Sequence, residues 1–157
     1  MQSPTLNIPS WILWTIIVLS FIGFADASFL LAKRVSGAPI PCFITTGCDE
    51  VSKSPHSAIP INLGSINFEI PLSLLGIIFY LAVGLLTILY LDIKNLLVAK
   101  LIALATLLGF LSSAYFVYIQ KFKIGAFCIY CILSAIVSTL LFMFGIVIWR
   151  KIKNPAS

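Results

Sequence analysis

Four long apolar stretches constrain the fold of this chain more than any other feature of its sequence. Of its 157 residues, 61% are hydrophobic and only 10% are charged, which is more apolar surface than the core of a soluble protein needs. A helix requires about 20 apolar residues to cross the hydrocarbon region of a bilayer. The chain is therefore predicted to be an all-α integral membrane protein, a bundle of four transmembrane helices forming one domain over residues 1–157. The predicted helices are approximately residues 11–32, 71–91, 97–119 and 126–149.

The connections between these helices leave little sequence for a soluble domain. The only long one runs from Lys33 to Ile70, between the first two helices. The first stretch is as apolar as a signal peptide, but no basic region precedes it and no A-x-A-like cleavage site follows it, so we interpret it as a membrane helix. The net charge of +5 includes no basic stripe with interleaved aromatic residues, which argues against nucleic-acid binding and favours loops that contact membrane lipids.

Helix parity brings the cysteines together on one side of the membrane. With four crossings, the first and third loops lie on the same side and both termini lie on the other. Cys42 and Cys48 are in the first loop, whereas Cys128 and Cys131 follow the third loop and open the fourth helix. All four cysteines of the chain are therefore expected to face the same compartment.

The positive-inside rule does not orient the protein, because both sides carry five basic residues. These are Lys33, Arg34, Lys53, Lys121 and Lys123 on the cysteine side, and Lys94, Lys100, Arg150, Lys151 and Lys153 on the other. The densest basic cluster follows Trp149, and two neighbouring cysteine pairs favour an oxidising compartment. We predict a multi-pass cell-membrane protein with a long extracytoplasmic first loop that bears cysteines, and with both termini in the cytoplasm.

The second cysteine pair has the spacing of a redox centre. Cys128-Ile129-Tyr130-Cys131 is a C-x-x-C sequence at a helix start, so its two sulfurs are expected on one face and within reach of a disulfide. Unpaired amides and the positive end of the helix dipole stabilise a thiolate there. A structural disulfide inside one helical turn adds little stability because its loop is short, which favours a redox function for this pair.

Two other interpretations of the cysteines remain open. A structural bridge is the simplest explanation of Cys42 and Cys48, and all four cysteines could staple the first loop to the fourth helix without any electron transfer. Four cysteines that include one C-x-x-C could also bind zinc. Only one of the two pairs has ligand-like spacing, so no metal site is predicted.

Four segments, in this order along the chain, carry a resemblance to a known family. They are Gly23–Leu30 leading to Pro41-Cys42, Gly47–Val51 followed by Ser54, Pro71–Gly76 followed by Phe79-Tyr80, and Gly125–Cys131 followed by Ser134-Ala135. Together they resemble the vitamin K epoxide reductase family in its bacterial, quinone-linked form. Other quinone-linked, disulfide-forming membrane enzymes also have four helices and two cysteine pairs, but they carry the C-x-x-C in the first external loop.

The resemblance implies a membrane thiol-disulfide oxidoreductase that supports disulfide formation. A separate thioredoxin-fold thiol oxidase is expected to attack a Cys42–Cys48 disulfide at Cys42, and no thioredoxin-like domain is expected within this chain. The released Cys48 then attacks Cys128, and Cys131 passes electrons to a lipid quinone, a menaquinone or a ubiquinone.

Three polar residues are predicted to contribute to the quinone pocket. By resemblance, Ser54 caps it from the loop, and Ser73 lies near the outer end of the second helix. Asp26 is the one acid inside a predicted helix, about 22 Å from Trp11 by helical rise, where it could transfer protons to the quinone or reach the membrane interface. His56 is interpreted as a solvated loop residue.

Animal members that reduce vitamin K epoxide carry a polar Asn early in the second helix and a Tyr one turn beyond the second active-site cysteine. Leu72 and Ala135 stand at those places in this chain. Epoxide reduction is therefore not expected.

Overall fold

The computed structural model describes residues 8–42, 47–54, 57–63 and 66–154. Four long helices dominate it, and all four are long and apolar enough to cross a membrane, which confirms the predicted all-α membrane bundle. In chain order the elements are α1 (Ser10–Ser36), α2 (Cys48–Lys53), strands β1 (Ala58–Leu63) and β2 (Ile66–Pro71), α3 (Leu72–Ile93), α4 (Leu96–Ile119) and α5 (Ile129–Lys153).

The helix ends differ from the predicted ones because hydropathy does not mark where a helix stops. Helix α1 continues to Ser36, beyond the predicted end at residue 32, and stops at Gly37, which takes a left-handed conformation with φ 64°. Helix α5 begins at Ile129 rather than at Ala126, because Cys128 is still extended, with φ −101° and ψ 123°. Only the second cysteine of the C-x-x-C is therefore helical.

Between α4 and α5 the chain makes a π-helical turn. This turn, Gln120–Ile124, continues α4 and ends at Gly125, whose φ of 71° is readily adopted only by a residue without a side chain. Turns of this kind are rare and are frequently found at functional sites.

The long first connection contains structure that the hydropathy pattern did not predict. Helix α2 begins at Cys48, and β1 and β2 form an antiparallel hairpin with Ala58 opposite Pro71. The hairpin ends at Pro71, and α3 begins at the next residue, Leu72. This connection lies at the same end of the bundle as the start of α5.

The helices pack closely through small residues. Helix α1 packs on α3 and α5, and α4 packs on α5 and α3. A Cβ atom added at Gly23 would collide with the ring of Tyr80, so this glycine lets α1 and α3 approach each other. The outward faces carry large apolar side chains, such as Leu85 and Ile136, and support a multi-pass membrane protein.

Candidate active site

The first cysteine pair forms a disulfide in the loop. Cys42 and Cys48 are bonded to each other across six positions of sequence. Cys48 starts α2 and is 1% exposed, whereas Cys42 is only half-buried. Cys42 is thus the sulfur of this pair that lies closer to the solvent.

The second pair consists of two free thiols at the start of α5. Cys128 is buried and caps the helix, and Cys131 lies in its first turn. A hydrogen bond with the Cys131 thiol, opposed by burial, lowers the pKa of Cys128 below its ordinary value. This shift favours the thiolate, the nucleophilic form of a cysteine, at Cys128. Because the other two sulfurs share a disulfide, the four cysteines do not form a four-thiolate metal site in this structure.

The two pairs are packed against each other. Cys48 and Cys128 belong to one buried cluster with Ile40, Val51 and Ala126. Gly47 allows this approach, because a Cβ atom at its position would lie 2.7 Å from the Cβ atom of Ala126 and 3.0 Å from the backbone nitrogen of Phe127. The residue before Cys48 therefore rests directly on the segment before Cys128.

A cavity of about 380 Å³ adjoins both pairs. Residues of α1, α3, α4 and α5 line it within the bundle, and α2 and the residues that follow it line its outer end. Six of the seven site residues predicted from the sequence contribute to its wall, whereas Cys42 does not. The six are Asp26, Cys48, Ser54, Ser73, Cys128 and Cys131.

Asp26 is a buried acid in the wall of this cavity. Its side chain is 8% exposed, and its Oδ2 atom makes no hydrogen bond to any residue that the structure describes. An acid within a membrane helix costs several kcal/mol, which usually indicates a function. Next to it in the wall, the Tyr80 hydroxyl donates to the Ser134 carbonyl oxygen at 3.0 Å and ties α3 to α5.

The two predicted serines line the wall from two different elements. The Ser54 hydroxyl donates to the carbonyl oxygen of Val51 at 2.9 Å, so it also closes the end of α2. Ser73 lies in the first turn of α3. His56 lies outside the described residues.

The sequence interpretation missed Arg34, which lines the cavity at the end of α1. Its Nη1 atom donates to the carbonyl oxygens of Ser52 at 3.2 Å and Ser57 at 3.1 Å, and to the Ser57 hydroxyl at 2.6 Å. These bonds fasten α2 and the chain after it to the membrane helix. In the sequence, nothing distinguishes Arg34 from the other basic residues near the ends of the predicted helices.

Gln120 was also missed. Its side chain is 3% exposed, and its Oε1 atom accepts a hydrogen bond from the Cys128 backbone N–H at 3.2 Å. The first N–H groups of a helix have no hydrogen-bond partner within the helix, so Gln120 provides one for the backbone N–H of Cys128. In the sequence, the only indication of this role is an uncharged amide side chain at the end of an apolar helix.

Comparison with protein families matches residues 14–146 to the Vitamin K epoxide reductase family. A search of curated proteins gives no match. The family match covers α3 and α4, most of α1 and α5, and all four cysteines. The chain therefore belongs to the vitamin K epoxide reductase family and is a membrane-embedded oxidoreductase with a disulfide-forming cysteine pair.

Proposed function

We propose that the protein is a quinone-dependent thiol oxidoreductase that reoxidises a separate thioredoxin-fold protein. One observation carries this proposal: a single cavity within the helix bundle touches Cys48 of the loop disulfide and both thiols of the C-x-x-C. The family to which the chain belongs works in general with thiol partners and quinones. The cavity thus connects cysteines of both pairs to a space in which a lipid-soluble acceptor could bind.

The cavity has the lining that a quinone ring requires. Leu30, Phe79 and Phe116 offer apolar surface, and Asp26 and Ser73 offer hydrogen-bonding groups. A bound quinone supplies an acceptor for two electrons and two protons. The Oδ2 atom of Asp26, which makes no hydrogen bond within the described part of the chain, can hold a proton and release it towards such an acceptor.

Electron transfer begins at the loop pair. A partner thiolate attacks Cys42, and Cys48 leaves as a thiolate. The second thiol of the partner then displaces Cys42, which leaves the partner with a disulfide and the loop with two reduced cysteines. The half-buried position of Cys42 supports attack at this sulfur rather than at Cys48.

The loop pair is regenerated by the C-x-x-C. Cys48 attacks Cys128 of the Cys128–Cys131 disulfide and Cys131 leaves; Cys42 then attacks Cys48, which re-forms the loop disulfide and frees Cys128. The packing of Cys48 and Cys128 in one cluster supports this step. The structure has the cysteine pairing expected after it, a loop disulfide with two thiols on α5. Oxidation of these thiols to a disulfide then delivers two electrons and two protons to the acceptor.

We infer that the cysteine end of the bundle faces the extracytoplasmic side, where disulfides form and persist, and that both termini lie in the cytoplasm. A redox partner in that compartment would reach Cys42 directly. The hydrophobic cavity beneath it would remain open to lipid-soluble acceptors.

The test measures quinone reduction by the purified protein in lipid nanodiscs, with a reduced thioredoxin-fold protein as the electron donor. The wild type should form quinol, and Cys131→Ala should form none. Kept without the donor, this variant should convert part of its loop disulfide into a Cys48–Cys128 disulfide, as Cys128 attacks Cys48 and Cys42 leaves, which is detected by mapping unreduced peptides. Thr139→Ala, further along α5, is the matched control and should retain activity. Quinone reduction that survives Cys131→Ala would contradict the relay, and a wild type without quinone-dependent thiol oxidation would indicate a disulfide-stapled structural protein.

A further inference from the structure

Tyr130 lies between the two cysteines of the C-x-x-C and contacts the loop next to the other pair. Its hydroxyl donates to the carbonyl oxygen of Pro41 at 3.1 Å, across 89 positions of sequence. Pro41 immediately precedes Cys42. One side chain within the second redox pair is thus bonded to the backbone beside the first.

The ring of Tyr130 is itself held in place. It packs against the ring of Phe29 on α1, with the two centroids 5.1 Å apart. Tyr130 is in the first turn of α5, and Ile40, the residue before Pro41, is buried in the cluster that holds Cys48 and Cys128. The Tyr130 hydroxyl therefore connects a ring held by Phe29 to the loop segment that contains Pro41 and lies next to α5.

This contact matters most when the loop disulfide is open. While Cys42 and Cys48 are bonded, the disulfide itself restrains the loop. Once the partner has reduced this pair, that restraint is lost, and exchange with Cys128 depends on noncovalent contacts that keep Cys48 near it. Exchange between two held groups is faster than between mobile ones, because the loss of freedom has already occurred.

We propose that Tyr130 is a positioning residue that keeps the reduced loop against the C-x-x-C and so speeds electron transfer from the loop pair to Cys128. This inference rests on the proposed function. It concerns the exchange step alone, and the oxidation of Cys128 and Cys131 by the acceptor does not require it.

The test uses Tyr130→Phe, which keeps the ring on Phe29 and removes only the hydroxyl. With all cysteines present and the reduced partner as donor, turnover should fall by about threefold to tenfold, the effect of one lost hydrogen bond on a rate. In a Cys42→Ser/Cys48→Ser background driven by dithiothreitol, which reduces the C-x-x-C directly, the same substitution should have no effect. Equal slowing in both backgrounds, or no slowing in the first, would overturn the proposal.

A second measurement observes exchange without any quinone. In the wild type with both cysteine pairs oxidised by diamide and no acceptor present, mixing with the reduced partner opens the loop disulfide, and acid quenching followed by peptide mapping gives the rate at which Cys128 and Cys131 become thiols. Adding Tyr130→Phe should slow it by about threefold to tenfold. An unchanged rate refutes the role of Tyr130 whatever the acceptor is, whereas a failure of quinone reduction in the wild type refutes the proposed function instead.

Tyr118→Phe provides the matched control for both measurements. Tyr118 also packs its ring on a neighbouring phenylalanine, Phe122, but its side chain is 54% exposed on α4 and is not part of the cavity wall. Removal of its hydroxyl should change neither rate. A loss of exchange in this control equal to that of Tyr130→Phe would also contradict the proposal.

Discussion

Cys128 and Cys131 are three positions apart but have different surroundings. Cys128 is extended and buried at the helix cap, with its backbone amide bonded to Gln120, whereas Cys131 is within the first turn of α5. Both line the cavity, and the thiol of Cys131 stabilises the thiolate of Cys128 through a hydrogen bond. This difference supports the proposed relay, in which Cys128 exchanges with the loop while Cys131 is displaced.

The first prediction concerns the ionisation of Cys128. In a Cys42→Ser/Cys48→Ser background, where Cys128 has no disulfide to attack, thiolate absorbance near 240 nm should rise with a midpoint below that of a free cysteine. Because the Cys131 thiol favours the charged form of Cys128, Cys131→Ala should move the midpoint to higher pH. Cys128→Ser should lack the transition, and an identical midpoint with and without Cys131→Ala would contradict the assignment.

The second prediction concerns Asp26. If its carboxyl supplies protons to the acceptor, Asp26→Asn should lower quinone reduction by about tenfold or more, as expected for the loss of a general acid. The rate at which the partner reduces the loop disulfide should not change. Asp92→Asn, at the exposed end of α3, is the control. Full activity of Asp26→Asn over the pH range would show that the acid has no part in proton transfer.

At the scale of elements, the long helices could be predicted from the sequence, and the short elements between them could not. A membrane helix is specified locally, by about 20 apolar residues in a row. The chain on either side of α2 is held instead by contacts between distant residues, such as Arg34 with Ser57 and Tyr130 with Pro41. The cysteines could be identified from their types and spacing, but Gln120 and Arg34 acquire their roles only through such contacts.

The third prediction tests the contact between the loop and the segment before α5. Gly47→Ala places a methyl group against Ala126 and the backbone of Phe127, and overpacking of this kind costs about 1–3 kcal/mol. The substitution should slow formation of the Cys48–Cys128 disulfide in the Cys131→Ala background. Gly84→Ala, whose new Cβ atom would lie an ordinary 3.6 Å from the Cβ atom of Ser20, should leave that rate unchanged. A wild-type rate in Gly47→Ala would contradict close packing at this point.

At the scale of the whole molecule, the bundle separates two environments. One end holds both cysteine pairs, and the helices below it expose apolar side chains suited to lipid. Hydropathy and helix parity were sufficient to predict that all four cysteines share one end. Charge did not select which side of the membrane this end faces, because basic residues are divided equally between the two sides.

The fourth prediction tests this orientation. In a variant whose four cysteines are replaced by serine, a single cysteine introduced by Lys123→Cys should react with a membrane-impermeant maleimide on intact cells. A single cysteine introduced by Lys94→Cys, between α3 and α4, should react only after the membrane is permeabilised. Both positions are exposed, so a difference in labelling reports their side rather than their burial. The reverse pattern would place the cysteines in the cytoplasm.

Helix α1 contributes Asp26, Ala27, Leu30 and Arg34 to the cavity wall, all from one face. Arg34 lies eight positions after Asp26, a rise of about 12 Å, which fixes the distance between the buried acid and the arginine that bonds to the loop. Inserting or deleting one residue in this interval would rotate one end of the helix by about 100° relative to the other and turn Asp26 or Arg34 away from the cavity. Changes in chain length should therefore not be tolerated within this part of α1, although its lipid-facing side chains can be exchanged.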